Sequence, residues 1–264
     1  MRKNIFRYPG GKFKAIKYIE PFWKKISHDE YREAFVGGGS VFMSKDNVEI
    51  NWINDLDTDL MAFYKTIKNK KKRNELIEEL ININITRKNY EKYYFSKPTK
   101  NLDRAVRYYV LNRCSFSGIT KWNAYIGSPR WNIKRNTDAI HFVGDKLQKT
   151  RITTLDFEEV INEKSSKDTF LFLDPPYAES RQVAAYNFVF EKHDHIRLNK
   201  CLKTTKFKFL LTYDDCDFIR NLYDGLFLYD KTWTYSVANS NVHHNPREKG
   251  NELFISNFKL EDAC

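Results

Sequence analysis

The chain has 264 residues, with 45 Lys+Arg against 34 Asp+Glu for a formal charge of +11, and it is 41% hydrophobic and 16% aromatic. That composition supports a buried core and excludes disorder as the main state, and the lack of any run of about 18 apolar residues excludes a membrane-spanning helix. The scattered Cys114, Cys201, Cys216 and Cys264 show no Cys-x-x-Cys spacing. They argue against a zinc site or disulfide framework and suit a reducing cytosol, and the basic N-terminus lacks the apolar stretch of a secretory signal.

In chain order, Phe13, Ile16, Ile19 and Trp23 recur at nearly one helical turn and predict an amphipathic helix over 12–26. A β run at 31–36 ends in Gly37-Gly38-Gly39, where Ser40 is the expected helix cap. A strand at 48–53 stops at Asn54-Asp55, and helices are expected near 57–69, 73–82, 86–95 and 101–112. Residues 114–136 hold Gly118, Gly127 and Pro129 and read as loop or hairpin, followed by helix at 137–149. Strands are expected at 151–154 and 169–173, the second apolar throughout as in a strand buried on both faces. Helices at 193–204 and 215–223 and strands at 206–212, 226–235 and 252–257 complete the set. Strands alternating with helices at both ends predict a mainly parallel, doubly covered sheet.

The charge is unevenly spread. Residues 65–151 hold 21 basic and 7 acidic side chains, whereas 1–64 hold 10 and 9 and 152–264 hold 14 and 18. The middle segment therefore reads as a basic insertion. Its run Lys70-Lys71-Lys72-Arg73 suits a solvated surface. Further on, Arg113, Lys121, Arg130 and Lys134 alternate with Phe116, Trp122, Tyr125 and Trp131, a mixture suited to phosphate neutralisation with base stacking.

Three motifs carry chemistry. Phe35-Val36-Gly37-Gly38-Gly39-Ser40 follows a strand, and Asp55 closes the next strand, where an acid commonly takes a ribose hydroxyl pair. A plain tight turn accounts for the glycines equally well; the spacing to Asp55 favours a nucleoside-containing cofactor. Asp174-Pro175-Pro176-Tyr177 follows the buried strand 169–173. The prolines remove N–H donors, so carbonyls, the Asp174 carboxylate and the Tyr177 face are left for a planar heterocycle bearing an amino group. Tyr8-Pro9-Gly10-Gly11-Lys12 is a turn before the first helix that can place an aromatic ring and a cation beside the cofactor. His193, His195, His243 and His244 have no cysteine partners and read as surface or capping residues, so no metal is expected.

In this order these motifs resemble the Dam-type, α-group DNA adenine methyltransferases, over nearly the whole chain. The resemblance includes Asn112-Arg113-x-Ser115-Phe116-Ser117-Gly118, Asp156-Phe157 and the tail 247–253. It implies a Rossmann-like methyltransferase domain from 1–64 and 152–264, with 65–151 as the target-recognition insertion. It further implies methyl transfer from S-adenosylmethionine to the amino group of an adenine flipped out of duplex DNA. On that basis Asp174, Pro175, Pro176 and Tyr177 are catalytic. Tyr8, Lys12, Phe35, Gly37, Gly39, Asp55, Asp156 and Phe157 bind the cofactor. Arg113, Phe116, Ser117, Gly118, Ile119, Lys121, Trp122, Asn123 and Arg130 face DNA. Where the family has an arginine that reads a guanine of GATC, this chain has Lys121, which lacks the planar fork, so another recognition sequence is expected. The expected setting is the cytoplasm of a bacterial or phage-infected cell, with orphan, phage or restriction-modification roles all open, and the expected state is a monomer or weak dimer. RNA or protein-glutamine methylation and a silent DNA-binding relative are the competing readings.

Overall fold

A computed structural model describes residues 5–8, 10–115, 118, 120, 131–179, 190–234 and 249–260. Seven strands form one sheet in the order β3-β2-β1-β4-β5-β7-β6. They are β1 (Glu30–Glu33), β2 (Ile50–Asn54), β3 (Thr150–Thr153), β4 (Thr169–Leu173), β5 (Lys208–Asp214), β6 (Phe227–Thr234) and β7 (Lys249–Ser256). The first five in spatial order are parallel, and β7 inserts antiparallel between β5 and β6. The order reverses between β1 and β4, which is where an open parallel sheet leaves a crevice beyond its carboxyl ends.

Side-chain alternation builds two cores. Phe170 and Phe172 of β4 join Tyr31, Ile53 and Leu210 on one face, while Leu171 and Leu173 join Trp52, Phe209 and Leu211 on the other. On the first face lie α1 (Ile16–Lys25), which follows a 3-10 turn over Lys12–Ala15, and α3 (Thr58–Lys68), preceded by the short α2 (Ser40–Ser44). α4 (Lys70–Asn82), α5 (Arg87–Phe95), α6 (Asn101–Cys114) and α7 (Ile133–Lys146) follow, and Leu76, Leu80, Tyr90, Tyr109 and Ile140 share the first core with the sheet. The other face is covered by α8 (Phe157–Asn162), α9 (Lys192–Thr204) and α10 (Asp217–Leu222).

β1 is buried at all four residues although three are charged. Arg32 makes this tolerable: its Nε donates to Glu30 at 2.7 Å, its Nη1 donates to the Val160 and Glu163 carbonyls, and its guanidinium lies between the Trp52 and Phe207 rings.

Several expectations are corrected. Gly39, not Ser40, is the N-cap of α2, because its φ of 70° suits glycine and Ser40 is already helical. The helix expected at 137–149 starts at Ile133, and α8 was not anticipated, since six residues carry too little periodicity. Arg73 is not solvated: it is 4% exposed, donates to the His141 carbonyl and pairs with Asp145 at 2.8 Å. His195 is also buried, its Nδ1 2.7 Å from the Tyr213 hydroxyl, whereas His193 is exposed and His243 and His244 lie outside the described residues. Among the described residues no helix is long and apolar enough to cross a membrane, and no group of His, Cys, Asp or Glu could hold a metal.

Candidate active site

A cleft opens at the carboxyl ends of β1, β2 and β4, at the reversal of strand order. It is lined by Tyr8, Lys12, Glu33, Phe35, Gly37, Gly39, Asp55, Phe157, Asp174 and Pro176, among others. The chain leaving β1 turns back through Gly37, whose φ is 46° and where a Cβ would fall 2.7 Å from the Tyr8 ring. The Tyr64 hydroxyl donates to the Gly37 carbonyl at 3.0 Å. Tyr8 thus packs on the glycine turn and helps to shape the cleft.

Asp55 accepts the Gly37 N–H at 2.9 Å on one oxygen and the Asp57 N–H at 2.9 Å on the other. Burial raises its pKa to about 6, with the Asp57 N–H bond opposing the rise and the Asp57 charge adding to it. Just before it, Asn54 donates to the Ala34 and Leu155 carbonyls and accepts the Leu155 N–H, which ties together the chain leaving β1, β2 and β3.

Phe35, Phe157 and Phe190 form an aromatic wall, with ring centroids 5.6 to 5.8 Å apart. Asp156 does not line the cleft. Its carboxylate caps α8 by accepting the Glu158 N–H, and it takes Arg197 Nη2 at 3.0 Å.

At the other end, Lys12 Nζ stands 2.8 Å from Asp174 Oδ1, 3.8 Å from Glu252 Oε2 and 4.8 Å from the Tyr177 ring centre. Lys12 is 4% exposed, so burial works against its charge, but Asp174 and then Glu252 outweigh that and hold its pKa above the ordinary lysine value. Thr212 donates to the same Asp174 oxygen at 2.7 Å. Both neighbours therefore engage Oδ1, and Oδ2 has no hydrogen-bond partner among the described residues.

Glu33 also borders the cleft. Burial pushes its pKa up to about 8 against the pull of the Tyr31 hydroxyl and the Phe42 N–H, and nearby Asp174 adds to the rise. Its Oε2 is buried with no hydrogen-bond partner among the described residues. Pro175 is buried, and the chain beyond Tyr177 is held by Asp214, which accepts the N–H groups of Ala178 and Glu179 at 2.9 and 2.7 Å.

The structure thus brings most of the expected cofactor and catalytic residues into one cleft. Arg113 and Gly118 lie at the end of α6 and beyond it, while Phe116, Ser117, Ile119, Lys121, Trp122, Asn123 and Arg130 lie outside the described residues. Sequence reasoning missed Glu33, Asn54, Tyr64, Phe190, Thr212 and Glu252. Glu252 stood in the 247–253 tail and Asn54 beside Asp55, neither with a role assigned.

Residues 8–237 match the family described as D12 class N6 adenine-specific DNA methyltransferase. The chain is 29% identical over 255 residues to the Type II methyltransferase M.CviBI of Paramecium bursaria Chlorella virus NC1A, covering 91% of this chain and 94% of that one. It is 28% identical to the Type II methyltransferase M.MjaIII of Methanocaldococcus jannaschii, covering 84% and 88%. It is 24% identical to the DNA adenine methylase of Vibrio cholerae, covering 85% and 86%.

Proposed function

The chain belongs to the D12 class N6 adenine-specific DNA methyltransferases, and from that premise we propose that S-adenosylmethionine occupies the cleft and that Asp174, held by Lys12, receives the target amino group. The single observation that carries this reading is the 2.8 Å pairing of buried Lys12 with half-buried Asp174 at the switch point of the sheet, beside the glycine turn.

The residues present fit that methyl donor. The Phe35, Phe157 and Phe190 rings suit its adenine, and Asp55 at the end of β2 suits its ribose hydroxyls. The unpartnered Glu33 Oε2 suits its ammonium group, whose positive charge would favour the ionised form of this carboxyl. When bound it supplies an electrophilic methyl group on a sulfonium.

The adenine amino nitrogen is a poor nucleophile, because its lone pair is delocalised into the ring. Asp174 Oδ2 accepts one of its N–H bonds and the Pro175 carbonyl the other, which favours a pyramidal nitrogen with its lone pair turned to the methyl group. Lys12 and Thr212 fix the carboxylate through Oδ1 and leave Oδ2 for the substrate. Asp174 Oδ2 is placed to take up the proton that the methylated nitrogen sheds, while the C–S electron pair stays with the donor. Most of the gain comes from positioning and preset charge. A stacked base cannot reach the cleft, so the adenine leaves the duplex and stacks on Tyr177.

Residues 65–151 supply target recognition, with Arg113 and the segment from Phe116 to Arg130 toward DNA; the excess of basic over acidic side chains there supports this. Labelled S-adenosylmethionine with unmethylated DNA, RNA and peptide substrates tests the whole reading. DNA should be the acceptor, and Asp174→Ala should lower the rate on the order of 10³-fold. A mutant rate near wild type would remove Asp174 from its role.

A further inference from the structure

Asn112, near the end of α6, is fully buried, and among the described residues its side-chain amide bonds only to main chain. Its Nδ2 donates to the Arg7 carbonyl at 2.8 Å and to the Gly118 carbonyl at 3.2 Å, and its Oδ1 accepts the Arg7 N–H at 3.2 Å. The amide therefore engages both the N–H and the C=O of Arg7, as a neighbouring strand would. Aspartate has no N–H donors and leucine has no polar atoms, so neither reproduces this pairing.

Gly118 completes the junction. Its φ is +81°, and a Cβ there would fall 1.9 Å from the Arg7 carbonyl oxygen. Two backbones thus meet with no room for a side chain, and Asn112 bonds to both. The stretch beginning at Arg7 then leads straight into the cleft. Tyr8 packs on Gly37 and Gly38, its carbonyl accepts the Gly11 N–H at 3.1 Å, and Lys12 holds Asp174 at 2.8 Å.

We propose that Asn112 is a positioning residue that ties Gly118, the described residue from which the chain enters the segment read as DNA-facing, to Arg7 at the wall of the methyl-donor cleft, so that sequence reading and placement of the target base are coupled through one frame at this junction. This rests on the reading of that segment as the DNA-facing one. Asn112 acts through Arg7 and Gly118 and touches neither DNA nor the reacting atoms. Loosening such a frame displaces the target from Asp174 and weakens the penalty against wrong sequences, while leaving the cofactor's own contacts in place.

Asn112→Ala and Gly118→Ala attack the junction from its two sides, and Asn112→Asp is an isosteric third variant should either fail to fold. Each purified protein is tested for melting temperature, for S-adenosylmethionine affinity by calorimetry, for kcat on unmethylated genomic DNA, and for methylated positions by modified-base sequencing. We expect cofactor affinity within about 2-fold of wild type, kcat down by about 10-fold or more, and a clear rise in methylation outside the preferred sequence. A folded variant that loses only melting temperature, with kcat and sequence fidelity unchanged, overturns the proposal. Wild-type protein that transfers no methyl group to DNA overturns instead the underlying functional reading, so the two failures are distinguishable.

Discussion

The cleft and the basic middle segment use charge in opposite ways. Around the cleft the charged groups are buried or half-buried and mostly partnered: Lys12 stands against Asp174 and Glu252, and Asp55 accepts two N–H bonds. In the middle segment Lys70, Lys71 and Lys72 lie exposed at the start of α4, as do Lys88, Lys92, Lys97 and Lys100. Burial strengthens a charge and fixes its direction, which is what a single reacting nitrogen needs. Exposure leaves a charge screened and adjustable, which is what a long polyanion of varied sequence needs. The two regions therefore suit different parts of one reaction, chemistry at a point and attraction along a line.

The strongest way to break this contrast is at Lys12. Lys12→Met keeps roughly the length of the side chain but leaves Asp174 without its counter-charge and Oδ1 with the Thr212 hydroxyl alone as donor. The single-turnover methyl-transfer rate should fall about 100-fold, with cofactor affinity much less affected. Rapid-quench assays with labelled cofactor would check this, and equal losses in rate and cofactor affinity would mean that Lys12 acts mainly in binding.

Glu33 offers a second route, through stability. Its native carboxyl keeps its proton up to about pH 8, against an ordinary value of 4.5, so the native state holds more protons than the unfolded chain between these limits. Its contribution is greatest below about pH 4.5 and is lost as pH rises toward 8. Glu33→Gln cannot ionise. The cofactor-free wild type should lose melting temperature between pH 6 and 9, and the variant should lose less, by a few degrees in thermal melts. Parallel curves for the two proteins would show that Glu33 is ionised in the fold.

The smallest effects sharpen the comparison inside one four-residue run. Arg73→Ala should cost about 1–3 kcal/mol of stability, because the buried guanidinium bonds to His141 and Asp145. Replacing Lys70, Lys71 and Lys72 together by alanine should leave the melting temperature nearly unchanged. It should instead weaken DNA binding a few-fold on all sequences and flatten its salt dependence, measured by fluorescence anisotropy. If the lysine variant melted low and the arginine variant did not, burial would not be what separates these neighbours.

Much of this was legible in the sequence. The apolar run 169–173 is β4 itself, because a strand buried on both faces has no polar position to blur its ends. The glycine and proline motifs were legible for a related reason: their backbone constraints are local and belong to the residue. β1 was placed too long, at 31–36, because the chain past Glu33 continues without regular pairing although Val36 still donates to Asn54. The charges within β1 carried no warning of their burial. Arg73 was misread with the lysines beside it because a helix turns neighbouring side chains to different faces.

The sequence by itself determined the order of the motifs, the alternation of strand and helix, the place of the basic segment and the chemical types present at the cleft. All of these depend on residues near one another in the chain. Only the tertiary structure decided which charges are buried and what they face. Lys12 meets Asp174 and Glu252 across most of the chain, and Asn112 meets Arg7 from 105 positions away. The state of a buried polar group is set by whatever fills the space around it once the sheet has assembled, and no local pattern records that.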